Sequence, residues 1–216
     1  MGYYSKNTDR MDIHIEESRG TILIKQNWKY DWLLAAGSTP WTYTEKKSYH
    51  DKVDNLIWNT WGRYFYLKVS GTSDFAKKNA GKKWDVNFDI QWVLSSEHWD
   101  VRVTKYPKGY AENPTSSVGW ESKTINLDTK DTAYRKRTHS GRNYFQYPVV
   151  HEFGHAAGNS IYASAGMHGD EYNSSSAYFG DKHSLMNIGN KLRDRHFDFI
   201  LSELNTILAD TMFSKY

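Results

Sequence analysis

The stretch from Trp84 to Leu94 constrains the fold more than any other part of the chain. Trp84, Val86, Phe88, Ile90, Trp92 and Leu94 alternate with Asp85, Asn87, Asp89 and Gln91. A period of two sends successive side chains to opposite faces, so this segment reads as a strand with one buried face. A strand needs neighbours. After a short polar turn at Ser95, Ser96 and Glu97, the alternation resumes with Trp99, Val101 and Val103, which predicts an antiparallel hairpin. Further strands are expected from about Tyr64 to Val69 and from Lys123 to Leu127. Tyr49, Val53, Leu56, Ile57 and Trp61 recur at helical spacing and mark an amphipathic helix packed through one face.

The second half has a different texture. Tyr147 to Ala157 reads as a helix, with Pro148 tolerable only in the first turn and Gly158 and Asn159 ending it. Residues 159–190 are rich in Gly, Ser and Asn, a loop signature. Phe197, Ile200, Leu201, Leu204, Ile207, Leu208 and Met212 then predict a long closing helix. No linker long enough to separate domains is present, so residues 1–216 are expected to form one domain. Its 1–142 portion is mostly β with one helix, and 143–216 carries the remaining helices and the loop. The predicted class is α/β, a mixed sheet packed on a helix and closed by a C-terminal helix.

Composition narrows the chemistry. Hydrophobic residues make up 38% of the 216, with 9 Trp and 16 Tyr, ample bulk for a core. A formal net charge of +3, evenly spread, points to neither nucleic acid nor membrane as a partner. Arg135, Lys136 and Arg137 form a short basic cluster, read as a solvated loop. The chain has no cysteine, so a metal would have to sit on His and carboxylate. The polar stretch Met1 to Arg10 and the lack of a long apolar run predict neither signal peptide nor transmembrane segment. The chain is expected to be cytoplasmic as made, or exported or injected by a leaderless route.

The chemistry concentrates in His151-Glu152-Phe153-Gly154-His155. On a helix, residues four apart share a face, so both imidazoles can reach one ion while Glu152 projects beside them. A catalytic zinc needs three protein ligands and an open position. The loop after the helix holds further ligand types, His168, Asp170, Glu171 and His183. The competing readings are two helix histidines that are merely surface or core residues, and a structural zinc without catalysis, which would leave Glu152 without a task.

His151-Glu152-Phe153-Gly154-His155-Ala156-Ala157-Gly158 resembles the opening of the metzincin zinc-peptidase signature, whose glycine turns the chain toward a third ligand. The resemblance covers roughly residues 147–200. Metzincins place that ligand three residues after the glycine, which here is Ile161, a residue that cannot bind zinc. Many bacterial members carry Asp-Glu-Tyr there with Asp as ligand, and this chain has Asp170-Glu171-Tyr172, displaced by what looks like a nine-residue insertion. The resemblance therefore implies His151, His155 and Asp170 as ligands of one Zn2+, with His168 the alternative third ligand and His183 behind both. Ser184-Leu185-Met186-Asn187 followed by Gly189 resembles the methionine turn beneath the metal, which makes Met186 its methionine. Arg193-Asp194-Arg195-His196-Phe197 also resembles the segment beyond that turn in bacterial members. The tyrosine some metzincins carry two residues after the methionine is Ile188 here, leaving Tyr172 and His196 as candidates for stabilising the transition state.

The resemblance implies a zincin-like fold and hydrolysis of peptide bonds, with Glu152 as general base. Protein or peptide would be the substrate, with an edge strand of the sheet as its wall. The same chemistry would suit a secreted or injected effector or toxin, with a delivery apparatus or inhibitor protein as partner. The alternative from a different class is a catalytically inactive zinc-binding module that recognises protein or glycan through its Trp and Tyr side chains.

Overall fold

A computed structural model describes residues 2–112, 114–163 and 168–216. Residues 164–167, inside the expected insertion, lie outside the described residues. In chain order the first elements are strands β1 (Tyr3–Asn7), β2 (Asp12–Glu16) and β3 (Thr21–Leu34), helix α1 (Tyr43–Trp61), strand β4 (Tyr66–Gly71) and short helix α2 (Asp74–Lys78). Next come strands β5 (Trp84–Trp92), β6 (Trp99–Lys105), β7 (Ser117–Gly119), β8 (Thr124–Asp128), β9 (Arg135–His139) and β10 (Arg142–Gln146). Helix α3 (Pro148–Ala156), a 3-10 turn (Asp194–Phe197), helix α4 (Asp198–Leu204) and strand β11 (Thr211–Lys215) complete the chain.

The class is α/β with a mixed sheet, as the alternation and the helical stripes predict. Nine strands form that sheet, in the order β11-β4-β5-β3-β6-β8-β7, with β2 also pairing β3 and β1 pairing β2. Its centre is β3, whose Ile22, Ile24, Gln26, Trp28 and Tyr30 are buried at every second position. Sequence reading misses the first three strands, although Ile13 and Ile15 in β2 alternate with polar residues and Ile22, Ile24, Trp28 and Tyr30 in β3 keep a period of two around Gln26.

The expected hairpin between β5 and β6 does not form. β5 runs parallel to β3 from Thr21 to Trp28, and β6 runs parallel to β3 from Trp28 to Leu34. The chain crosses β3 where Trp92 and Trp99 both register with Trp28. The Val93 N–H donates to the Trp28 carbonyl and the His98 N–H to the Asn27 carbonyl, so the crossing itself is hydrogen-bonded. Two strands of one direction fit because a fourteen-residue β3 is long enough to serve each in turn. No two-residue turn of the Asn-Gly kind is present to force a reversal.

Helix α1 is set by a capping box, the Thr42 hydroxyl accepting from the Glu45 N–H and the Glu45 carboxylate accepting from the Thr42 N–H. Its buried face, Tyr49, Val53, Ile57 and Trp61, packs on β5 and α3. Trp61 stacks edge-on against Phe88 and Phe153, tying sheet, α1 and α3 together.

Two further expectations are corrected. The closing helix stops at Leu204, because the Asn205 side chain turns back on Phe213, donating to its carbonyl and accepting from its N–H. The chain then returns as β11, antiparallel to β4, with Phe213 buried and Met212 exposed. The basic cluster is a strand, β9, paired antiparallel with β10, and not a loop. Helix α2 is a second helix in the portion expected to hold one. Among the described residues no helix is long and apolar enough to cross a membrane.

Candidate metal centre

Helix α3 begins at Pro148, in the first turn where a missing N–H costs nothing. Its far end is held from the sheet: the buried Gln26 side chain donates to the Ala156 carbonyl at 2.9 Å while accepting from the Trp28 indole. Gly158 then adopts φ +104°, and a Cβ there would run into the Phe199 ring. Only glycine turns the chain at that point without strain. Asn159, also buried, donates to the carbonyls of Gly154 and His196 and so fastens the turn to the segment ahead of α4.

The two helix histidines are oriented by backbone carbonyls. His151 Nδ1 lies 2.7 Å from the Leu185 carbonyl and His155 Nδ1 lies 2.6 Å from the Asn159 carbonyl. A carbonyl can only accept, so each Nδ1 carries the proton, and in the neutral ring each Nε2 presents a lone pair. Those two lone-pair nitrogens stand 3.2 Å apart, and Asp170 Oδ1 lies 3.3 Å from His151 Nε2 and 3.0 Å from His155 Nε2. Three acceptors so close repel one another unless a cation lies between them. Zinc held by N and O donors at about 2.0–2.2 Å in tetrahedral array sets its ligands about 3.3 Å apart. The observed edges match that spacing, so the residues fit a zinc ion. Among the described residues His151, His155 and Asp170 form the group able to hold a metal.

His168, the alternative, is not in this group: its ring packs on Tyr178 and its Nε2 lies 3.9 Å from Asp198 Oδ2. His183 packs its ring on Tyr144. Tyr172 does reach the site, its ring stacked beside that of His151. Burial, with Asp170 beside it, holds the Tyr172 phenol above the usual tyrosine range, so it remains a donor. His196 is corrected as a candidate for transition-state stabilisation. It is buried at 1% exposure, with Nδ1 accepting from the Arg193 N–H and Nε2 facing Ser184 and Glu171. Both ring nitrogens are spent on structure.

Met186 is wholly buried under α3, and a Cβ at Gly154 would collide with its sulfur. The helix glycine is thus a close-approach glycine, making room for Met186. The Gln146 amide donates to the Leu185 and Gly189 carbonyls and pins this turn.

Sequence reading misses the network that places Asp170. Its neighbour Glu171 has no exposure and receives a fork from Arg195, Nε at 2.7 Å and Nη2 at 2.9 Å. Burial alone would push this carboxyl up, but Arg195 and His196 outweigh it and hold it down at about 2. Asp181 accepts from both Arg193 and Arg195. The signal for this network is present in Arg193-Asp194-Arg195, though spacing alone does not say which acid each arginine meets.

Glu152 is buried beside the three donors, and burial raises its carboxyl pKa. It faces a cavity of about 570 Å³ bounded by β7, by Ser160 to Tyr162 and by His168 to Tyr172. β7 ends the sheet order, pairing β8 on one side, and among the described residues its other edge is free along this cavity. A second cavity of about 350 Å³ adjoins His151 and Glu152 and runs between β9 and the Met186 turn.

Comparisons with protein-family models, with curated proteins and with solved structures each returned no match.

Proposed function

We propose that this chain is a zinc-dependent endopeptidase of metzincin-like type. The observation that carries the reading is the convergence of two imidazole lone pairs and one carboxylate at zinc-ligand spacing, with the buried Glu152 next to them and a free strand edge along the adjoining cavity. His151, His155 and Asp170 would hold the ion. A zinc ion so bound supplies Lewis acidity, polarising the scissile carbonyl and acidifying the attacking water.

The rest is done by the chain's own groups. Glu152 takes the proton of the attacking water on its carboxylate and delivers it to the leaving amine. Burial raises its proton affinity, which suits a group that must hold a proton between those two steps. The free edge of β7 offers backbone N–H and C=O groups to an extended peptide, orienting it across the cavity. Tyr172, protonated and beside His151, is the donor placed to stabilise charge developing on the carbonyl oxygen. The carbonyls of Leu185 and Asn159 hold both imidazoles in the one tautomer that can coordinate.

Trp28, Trp61, Trp84 and Trp99 are wholly buried, so these tryptophans serve the core and cannot form the recognition surface of a binding module. The test is N-terminal profiling of a cell lysate incubated with wild type and with Glu152→Gln, each checked for bound zinc. New termini with wild type alone are expected. Matching profiles from two folded, zinc-loaded proteins sink the endopeptidase reading.

A further inference from the structure

Arg135 and Arg137 are two residues apart on β9, on one face of the strand, and both line the 350 Å³ cavity, while Lys136 between them does not. That cavity touches His151, Glu152 and Tyr172 on one side and Pro148 and Ile188 on others. A cationic wall within reach of the cleavage machinery calls for a counter-charge. Arg135 is engaged already, its Nη2 3.2 Å from Asp131 Oδ1 and its Nη1 donating to the Pro114 carbonyl. Arg137 has no counter-charge among the described residues. Glu152 is the acid among the described residues that line this cavity, and it is committed to the metal centre. The charge of Arg137 is left for something that enters the cavity.

We propose that this cavity receives a carboxylate of the substrate, carried by a residue flanking the scissile bond, with Arg137 as its ion-pair partner and Arg135 fixing the wall behind it. The inference rests on the endopeptidase reading and names its substrate class. Two sources share this chemistry, an acidic side chain and a free C-terminus. A guanidinium recognises either through paired N–H donors. Van der Waals fit alone would not discriminate Asp from Asn, which are nearly the same size, so charge is the quantity to test.

The experiment measures binding of three peptide hydroxamates to the zinc-loaded protein. One carries Asp next to the chelating group, one carries Asn there, and one carries Asn with a free C-terminal carboxylate; the first two are amidated. A charge-assisted contact of this kind is worth about tenfold. The Asp probe is expected to bind about tenfold tighter than the Asn probe, with the gap closing in Arg137→Gln and partly returning in Arg137→Lys. A gain confined to the third probe, lost in Arg137→Gln, supports the pocket with the C-terminus as its ligand. Equal binding of all three overturns the carboxylate pocket while leaving the metal centre standing. No binding of any to the folded, zinc-loaded protein overturns an open catalytic centre, and the pocket with it.

Discussion

The sheet and the ligand-bearing segment from Asn159 to His196 are held together by different physics. In the sheet, Ile22, Ile24, Trp28, Trp84, Phe88 and Trp99 bury apolar surface, and the backbone satisfies itself through ladders. Among its described residues the ligand segment has almost no regular structure, so its backbone groups need side-chain partners. Asn159, Asn187 and Gln146 supply them, and Arg195 ties down the Glu171 carboxylate, all reaching across long stretches of chain. Hydrophobic burial is non-directional and forgiving, whereas a polar network places one oxygen to a fraction of an ångström. A metal ligand on a loop requires the second kind of support.

The sharpest way to break this comparison is to remove one anchor from each region. Trp84→Ala leaves a large cavity in the sheet core and is expected to cost about 3–5 kcal/mol. Arg195→Ala strands Glu171 as a buried, unpaired charge and is expected to cost about 3–5 kcal/mol as well. The two should part in zinc affinity: unchanged for folded Trp84→Ala, down about 10–100-fold for Arg195→Ala. Denaturant unfolding and competition with a chelator measure both, and equal zinc affinity in the two variants would mean the network does not place Asp170.

A buried carboxylate on the sheet side behaves oppositely to Glu171. Asp131 lies just past the end of β8 and has no exposure. Burial and the neighbouring Asp128 push its carboxyl up to about 7, against the pull of Ser116, the Asp128 N–H and Arg135. The raised value means the folded state holds a proton that the unfolded chain gives up from its ordinary value of 3.8. Below about pH 4 both states are protonated and the group contributes nothing. Between about pH 4 and 7 its cost to stability grows with rising pH, reaching on the order of 4 kcal/mol above that. Asp131→Asn should flatten this descent in unfolding curves taken from pH 4 to 8; a slope identical to wild type would show that Arg135 keeps Asp131 ionised.

The smallest expected effect lies where the two regions touch. Gly154→Ala forces a Cβ against the Met186 sulfur and should cost about 1–3 kcal/mol by overpacking, despite the better helix propensity of alanine. In a double-mutant cycle with Met186→Ala, the Gly154→Ala penalty should shrink or reverse; strict additivity would deny the contact.

Much of the sheet is legible in the sequence because alternation over Trp84 to Trp92 is a local signal. Partner choice is not. Nothing in β5 or β6 distinguishes a hairpin from two strands sharing β3, since the deciding partner lies some seventy residues earlier, as the pairing of Trp28 with Trp99 shows. The closing helix reads too long because Ile207, Leu208 and Met212 continue a helical stripe that only the Asn205 side chain interrupts, through contacts eight residues ahead. His196 is a plausible donor by position, and its complete burial against Glu171 is a tertiary fact.

By itself the sequence determined the pairing of His151, Glu152 and His155, because helical period places them without help from the rest of the molecule. It also determined the need for a close-packed sheet with a buried aromatic face. Tertiary structure alone decided which of Asp170 and His168 stands beside the two imidazoles. They are two residues apart in an irregular segment, and their directions depend on Glu171 meeting an arginine 24 residues onward. Local periodicity can orient side chains within one element. The convergence of two elements on a single point depends on contacts that no local pattern encodes.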